Sequence, residues 1–239
     1  MKRFSILIFF IVLTSSLLAQ SYYPKSKGEI VKHKYYTLSY NENHEQANWV
    51  YYHITPQFIN GKVKRRNKFK SDAKVKTKSA TLSDYKASGY DRGHLCPAAA
   101  MKLNATSMQE SFYMSNMSPQ KPQFNRGVWK KLEAQVRKWT IIEKDLYVVS
   151  GPVFKDNMGT IGKNKVTIPG YYYKVIFDAS KPCKMIAFIL PNTGSKEGLS
   201  RFVVSVDRVE KETGIDFFSQ LPDNIENSLE NKSSIRQWR

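Results

Sequence analysis

The chain has 239 residues and sets 38 Lys or Arg against 20 Asp or Glu, a net charge of +18. A balance that basic bears on partners rather than fold, and it favours a polyanion: nucleic acid, an anionic lipid surface or an acidic polysaccharide. No Cys-x-x-Cys or His-x-His spacing occurs, which disfavours a zinc site of dedicated soft ligands.

The first residues read as an export leader. Lys2 and Arg3 precede "FSILIFFIVLTSSLLA", and small residues then offer a cleavage point after Ala19. The run is too short and its flank too polar for a membrane span, which needs about 20 apolar residues. No second long apolar run follows. Cleavage would leave residues 20–239 with a charge of +16, enough for one domain with its own core.

Along the remainder, "ANWVYYHIT" (47–55) is rich in aromatic and β-branched residues and predicts a strand. The run 61–78 carries nine Lys or Arg against the single acid Asp72, either a solvated loop or a grip on a polyanion. "YDRGHLCPAAAM" (90–101) sets His94 beside Asp91 and Arg92, ahead of an apolar run. His94 is either a satisfied core histidine or a base that substrate can reach; nothing in the sequence pairs with His33, His44 or His53. Cys96, two residues on, either packs beneath His94, stays a buried thiol or pairs with Cys183.

Residues 125–139 predict a helix with Val128, Trp129, Leu132, Val136 and Trp139 on its apolar stripe. Asn125 stands where an N-cap would, and Arg126, Lys130, Glu133 and Arg137 share the opposite face. Alone, that face reads as a surface stripe with one Glu133–Arg137 ion pair. Strands are predicted at 145–154, 170–178 and 184–192, and a helix over 198–214 with Leu199, Phe202, Val203, Val206 and Val209 inward and Gly214 as its stop. Strands and segregated helices without βαβ alternation indicate an α+β fold.

The polar residues suit phosphodiester hydrolysis. A neutral imidazole can deprotonate water, arginine forks match phosphoryl oxygens, and a hard divalent cation needs few protein oxygens. His94, Arg92, Asn116, Asn125, Glu133 and Arg137 supply these types. "DRGH" (91–94), "SNMSPQ" (115–120) and Asn125 followed by Trp129 and "LE" (132–133) resemble the DNA/RNA non-specific endonucleases, the ββα-metal (His-Me finger) group that includes endonuclease G. The likeness covers about residues 36–230.

The resemblance implies a ββα-metal α+β fold, with a central, mostly antiparallel sheet and helices packed on it. It implies a Mg²⁺-dependent nuclease, with Mn²⁺ as a substitute, that cuts DNA and RNA to leave 5′-phosphate ends; the leader adds the expectation of a secreted or periplasmic protein, and monomer or homodimer stays open. It casts His94 as general base, Asn125 as direct metal ligand, Glu133 as holding the ion through water, and Asn116 as a polar support close to both. Arg92, Arg137 and Arg65 become phosphate-binding arginines, with Arg66 as the alternative to Arg65, and Asp91 becomes structural. A binding module that has lost its chemistry is the competing reading, which the intact His94, Asn125 and Glu133 oppose.

Overall fold

The computed structural model describes residues 22–25 and 28–238, so the leader expected at 1–19 lies outside the described residues. Strands β1 (Glu29–Lys32), β2 (Thr37–Asn41) and β3 (Gln46–Ile54) form an antiparallel meander. Short helices α1 (Pro56–Asn60) and α2 (Leu82–Tyr85) flank the basic run, and β4 (Asp91–His94) follows. Helix α3 (Ala105–Glu110) leads to β5 (Met117–Gln120), which pairs antiparallel with β4. Helix α4 (Lys130–Glu143) comes next, so β4, β5 and α4 form the expected ββα unit. Strands β6 (Leu146–Val153), β7 (Thr160–Ile161), β8 (Val166–Thr167), β9 (Tyr171–Asp178), β10 (Lys184–Pro191) and β11 (Val203–Val204) lead into α5 (Val206–Thr213) and α6 (Asp223–Glu230).

The main sheet has the order β1-β2-β3-β6-β9-β10-β11, and every neighbour is antiparallel. Side chains alternate across it. Tyr52, Val148, Tyr172, Ile176, Ile186 and Phe188 join Val128, Trp129, Leu132, Val136 and Trp139 in one buried layer beneath α4. Trp49, Tyr51, Val149, Tyr173, Val175 and Phe177 face the other way and pack with Val206, Val209, Phe217, Phe218 and Leu229. The four predicted strands are therefore buried on both faces, which explains their near-continuous apolar runs. Cys96 belongs to the first layer and Cys183 packs against the second, and both thiols are free. The sheet between them removes the disulfide alternative.

Two helix boundaries differ from the periodic reading. Over 198–214, only Val206–Thr213 is α-helical. Val203 and Val204 pair with Phe188 and Ala187 of β10, and the Ser205 hydroxyl caps α5 by accepting from the Arg208 amide at 3.2 Å. Sheet pairing of β-branched residues has overridden their helical spacing. Gly214 ends α5 in the left-handed conformation, φ 67°, as expected. At the other helix, Phe124–Trp129 forms a π-turn with Gly127 at φ −105°, ψ −112°, before α4 begins. Asn125 therefore lies inside a widened turn and caps nothing; its side chain is turned elsewhere.

Candidate active site

The β4–β5 pair holds His94 opposite Met117. Gly93 is required there: a Cβ would stand 2.2 Å from the Gln120 side chain. Beyond the strand, Asn116 fixes the turn. Its Oδ1 accepts from the Cys96 amide at 2.8 Å, and its Nδ2 donates to the carbonyls of Cys96 and Ser111, each at 2.9 Å. Asn116 is fully buried and is not part of the cavity lining. It supports His94 through the backbone, and its amide is already used on both sides.

The His94 ring is only 8% exposed and sits between Phe69 and Phe112, at centroid distances of 5.8 and 5.1 Å. These two rings also carry cations: the Arg92 guanidinium lies 4.4 Å from the Phe69 centroid and Arg65 lies 5.1 Å from that of Phe112. Arg65 is further held by Nε donating to Asn67 Oδ1 at 2.6 Å. Burial first, and then the charges of Arg65 and Arg92, depress the imidazole to about 3. His94 is thus neutral at any ordinary pH, unlike the unshifted histidine that the residue type suggests. Its Nε2 is buried and has no hydrogen-bond partner among the described residues.

Across the cavity, the π-turn swings Asn125 toward Asp91. Asn125 Nδ2 donates to Asp91 Oδ2 at 2.8 Å, while Arg126 donates to the same carboxylate through Nε at 2.9 Å and Nη2 at 2.6 Å. The bond fixes the amide so that its Oδ1 is the atom left for another partner. Asp91 thereby acts on Asn125 as well as on the strand, which residue spacing alone did not reveal.

Glu133 and Arg137 follow on α4 and line the same cavity of about 260 Å³ as Arg65, Arg92, His94 and Asn125. Arg66 does not line it. No ion pair closes between Glu133 and Arg137 among the described residues, so the polar stripe is a cavity wall. Burial raises the Glu133 carboxyl, against the lowering charges of Lys174, Arg137 and Arg65. Lys174, on β9, is fully buried below: its Nζ donates to Tyr52 Oη at 3.2 Å and lies 4.7 Å from the Trp129 ring centroid. Burial lowers its ammonium to about 8. A lysine in a run of strand residues carried no signal of this placement.

The other histidines have partners after all. His33 Nε2 bonds Asp72 Oδ2 at 2.8 Å, His44 Nδ1 bonds Thr167 Oγ1 at 3.0 Å, and His53 pairs with Asp145. Each partner is distant in sequence, which hid it. None of the three lines the cavity.

The sequence and fold that carry this site have counterparts among known proteins. The profile of the DNA/RNA non-specific endonucleases matches residues 14–224. The chain belongs to that family. It is 36% identical to nuclease C1 of Cunninghamella echinulata var. echinulata over 83% of this chain and 86% of that one. It is 35% identical to the nuclease of Serratia marcescens over 88% of this chain and 82% of the relative. Mouse mitochondrial nuclease EXOG is 34% identical over 86% of this chain, but the match spans only 61% of EXOG. A solved EndoG/EndoGI complex contains a chain with a TM-score of 0.76 and 33% identity, covering 82% of this chain and 88% of that one. As a family member the chain is a nuclease, a hydrolase of phosphodiester bonds.

Proposed function

We propose that this nuclease is an exported, Mg²⁺-dependent enzyme that cuts DNA and RNA with little sequence preference. The observation that carries the reading is convergence: a neutral, buried-edge imidazole, a pre-oriented amide oxygen and a half-buried carboxylate meet five basic side chains in one cavity. His94 takes a proton from the attacking water through its neutral imidazole, which lines the cavity. Arg92, Arg137 and Arg65 bind the phosphoryl oxygens, and stacking of Arg92 and Arg65 on aromatic rings reduces the motion lost on binding.

The donor set fits a hard divalent cation. Asn125 Oδ1 offers a direct oxygen, and Glu133 offers a carboxylate that can hold the ion's waters. Such an ion would polarise a phosphoryl oxygen and stabilise the leaving sugar oxygen. Asp91 keeps Asn125 oriented, and Lys174 favours the ionised form of Glu133.

The strand path extends beyond the cavity. A groove of about 540 Å³ shares Arg65, Ala98 and Ala99 with it, has Val63 and Met108 in its lining, and carries Lys62, Lys64 and Lys102. This suits a phosphate backbone beside apolar sugar faces, without base-reading groups. Export rests on the leader at 1–19; the relatives include both bacterial nucleases and mitochondrial ones. Among the described residues no helix is long and apolar enough to cross a membrane.

The test is direct. Purified protein should cut plasmid and RNA with Mg²⁺ or Mn²⁺ and stop in EDTA. Asn125→Ala should need far more Mg²⁺ for half-maximal rate, whereas Mg²⁺ titration matching the parent would reject the ligand assignment. Retention of nucleic acid without cleavage in any metal would favour the binding-module reading.

A further inference from the structure

The second face of the sheet holds a different polar feature. Asp207, Glu210 and Glu230 each bring one carboxylate oxygen within 4.8 Å of the other two. Asp207 and Glu210 stand three apart on α5, and Glu226 and Glu230 four apart on α6, so each helix turns two acids to one side. In a chain of net charge +18 this concentration of acid runs against the overall balance.

Glu230 makes the cluster more than a surface patch. It is 5% exposed, and its Oε1 is buried without a hydrogen-bond partner among the described residues. The Oε1 of Glu226 is likewise buried and unpartnered. The charges acting most strongly on Glu230 are Glu210, Glu226, Asp207 and Asp216, all acidic. Asp216 is engaged at its rim by Lys25, 3.7 Å away, and Glu210 Oε1 accepts from the Phe217 amide at 2.8 Å. A buried carboxylate among like charges is unfavourable unless something neutralises it.

We infer that Asp207, Glu210 and Glu230 form a structural site for a hard divalent cation, Ca²⁺ in preference to Mg²⁺, that ties α6 to α5. The ligand class follows from the donors, which are all oxygen. The preference follows from the donor set: three protein carboxylates gathered within 4.8 Å of one another suit Ca²⁺, which takes about six to eight oxygens in flexible geometry. Mg²⁺ instead keeps several waters and is held by one or two carboxylates. The site is separate from the nuclease cavity: Val206, Val209 and Leu229, its neighbours in sequence, pack on the opposite face of the sheet from α4.

Thermal melts of the purified chain test this, with CaCl₂ or MgCl₂ added to EDTA-treated protein. For a weak oxygen site with Kd of about 0.1–1 mM, 10 mM Ca²⁺ should raise the Tm by about 4–8 °C. Mg²⁺ should raise it less. In Glu230→Gln the Ca²⁺ shift should be smaller than the parent's by most of that amount, while Mg²⁺-dependent cleavage persists. Any stabilisation from ions in the nuclease cavity is common to both proteins and cancels. Without added ions the variant should melt no lower than the parent, because one of the clustered acids is gone. Asp207→Asn provides the same comparison if Glu230→Gln folds poorly. Equal Ca²⁺ shifts in parent and variants, or no shift in the parent, would overturn the site; the second result would mean that a proton alone relieves Glu230.

Discussion

His94 and Asp91 are the residues at which the proposed chemistry is most exposed to test. His94→Ala should lower turnover by about 100- to 10,000-fold, the range for a lost general base, with circular dichroism and filter-binding affinity close to the parent. Parental cleavage by the variant would make His94 structural. The neutral imidazole is the working form, and its folded pKa of about 3 lies below the ordinary 6.5. The acid limb of kcat/KM should therefore fall well below pH 6.5, and a limb at 6.5 would mean that His94 titrates as an exposed side chain. Asp91→Ala frees the Asn125 amide and the Arg126 fork together. Loss of such a supporting partner typically weakens metal affinity by about 10–100-fold, readable from Mg²⁺ titrations of the cleavage rate.

At the scale of elements, the basic run 61–78 is a pinned loop, and Asp72 is its pin. The carboxylate accepts from Ser115 Oγ at 2.5 Å and from the Lys74 amide at 3.0 Å, and bonds His33; His33 and Asp72 side chains are each 1% exposed. Burial pushes the Asp72 carboxyl up, but the bonds from His33 and Ser115 outweigh it and hold the pKa below 3.8. A depressed carboxyl stabilises the fold above its unfolded pKa, and that contribution is lost as pH falls through the folded value. Melting temperature should drop between pH 5 and pH 3 in the parent and less steeply in Asp72→Asn, already destabilised at pH 7. Ser205 gives a second element-level test. Ser205→Ala removes the cap of α5 and should cost about 1 kcal/mol, or about 2–4 °C in Tm.

Over the whole molecule, charge and grooves decide how substrate is held. Phosphate contacts release counterions, so cleavage at limiting substrate should weaken steeply from 50 to 300 mM salt for double-stranded DNA, single-stranded DNA and RNA alike. Lys62, Lys64 and Lys102 flank the groove that leaves the cavity. Each Lys→Ala change should reduce the slope of log affinity against log salt by about 1, uniformly across sequences. Activity indifferent to salt, or restricted to one sequence, would reject the backbone-grip reading.

The sequence alone carried the four central strands, the apolar stripe of α4, the Gly214 stop and the ββα unit built around "DRGH". These depend on short-range periodicity, local conformational preference or an ordered motif, all readable along the chain. It also placed Glu133 and Arg137 on one polar face, because helical geometry relates neighbours three and four apart. Only the tertiary structure decided that Val203–Val204 joins the sheet, that a π-turn hands Asn125 to Asp91, and that Arg65 rather than Arg66 reaches the cavity. The same holds for Lys174 beneath Glu133, for the partners of His33, His44 and His53, and for the sheet that separates Cys96 from Cys183. Each is a contact between residues far apart in sequence or a choice between nearly equal local options. Burial, hydrogen-bond satisfaction and charge across the assembled layers settle such choices, and none of these quantities exists until the chain has folded.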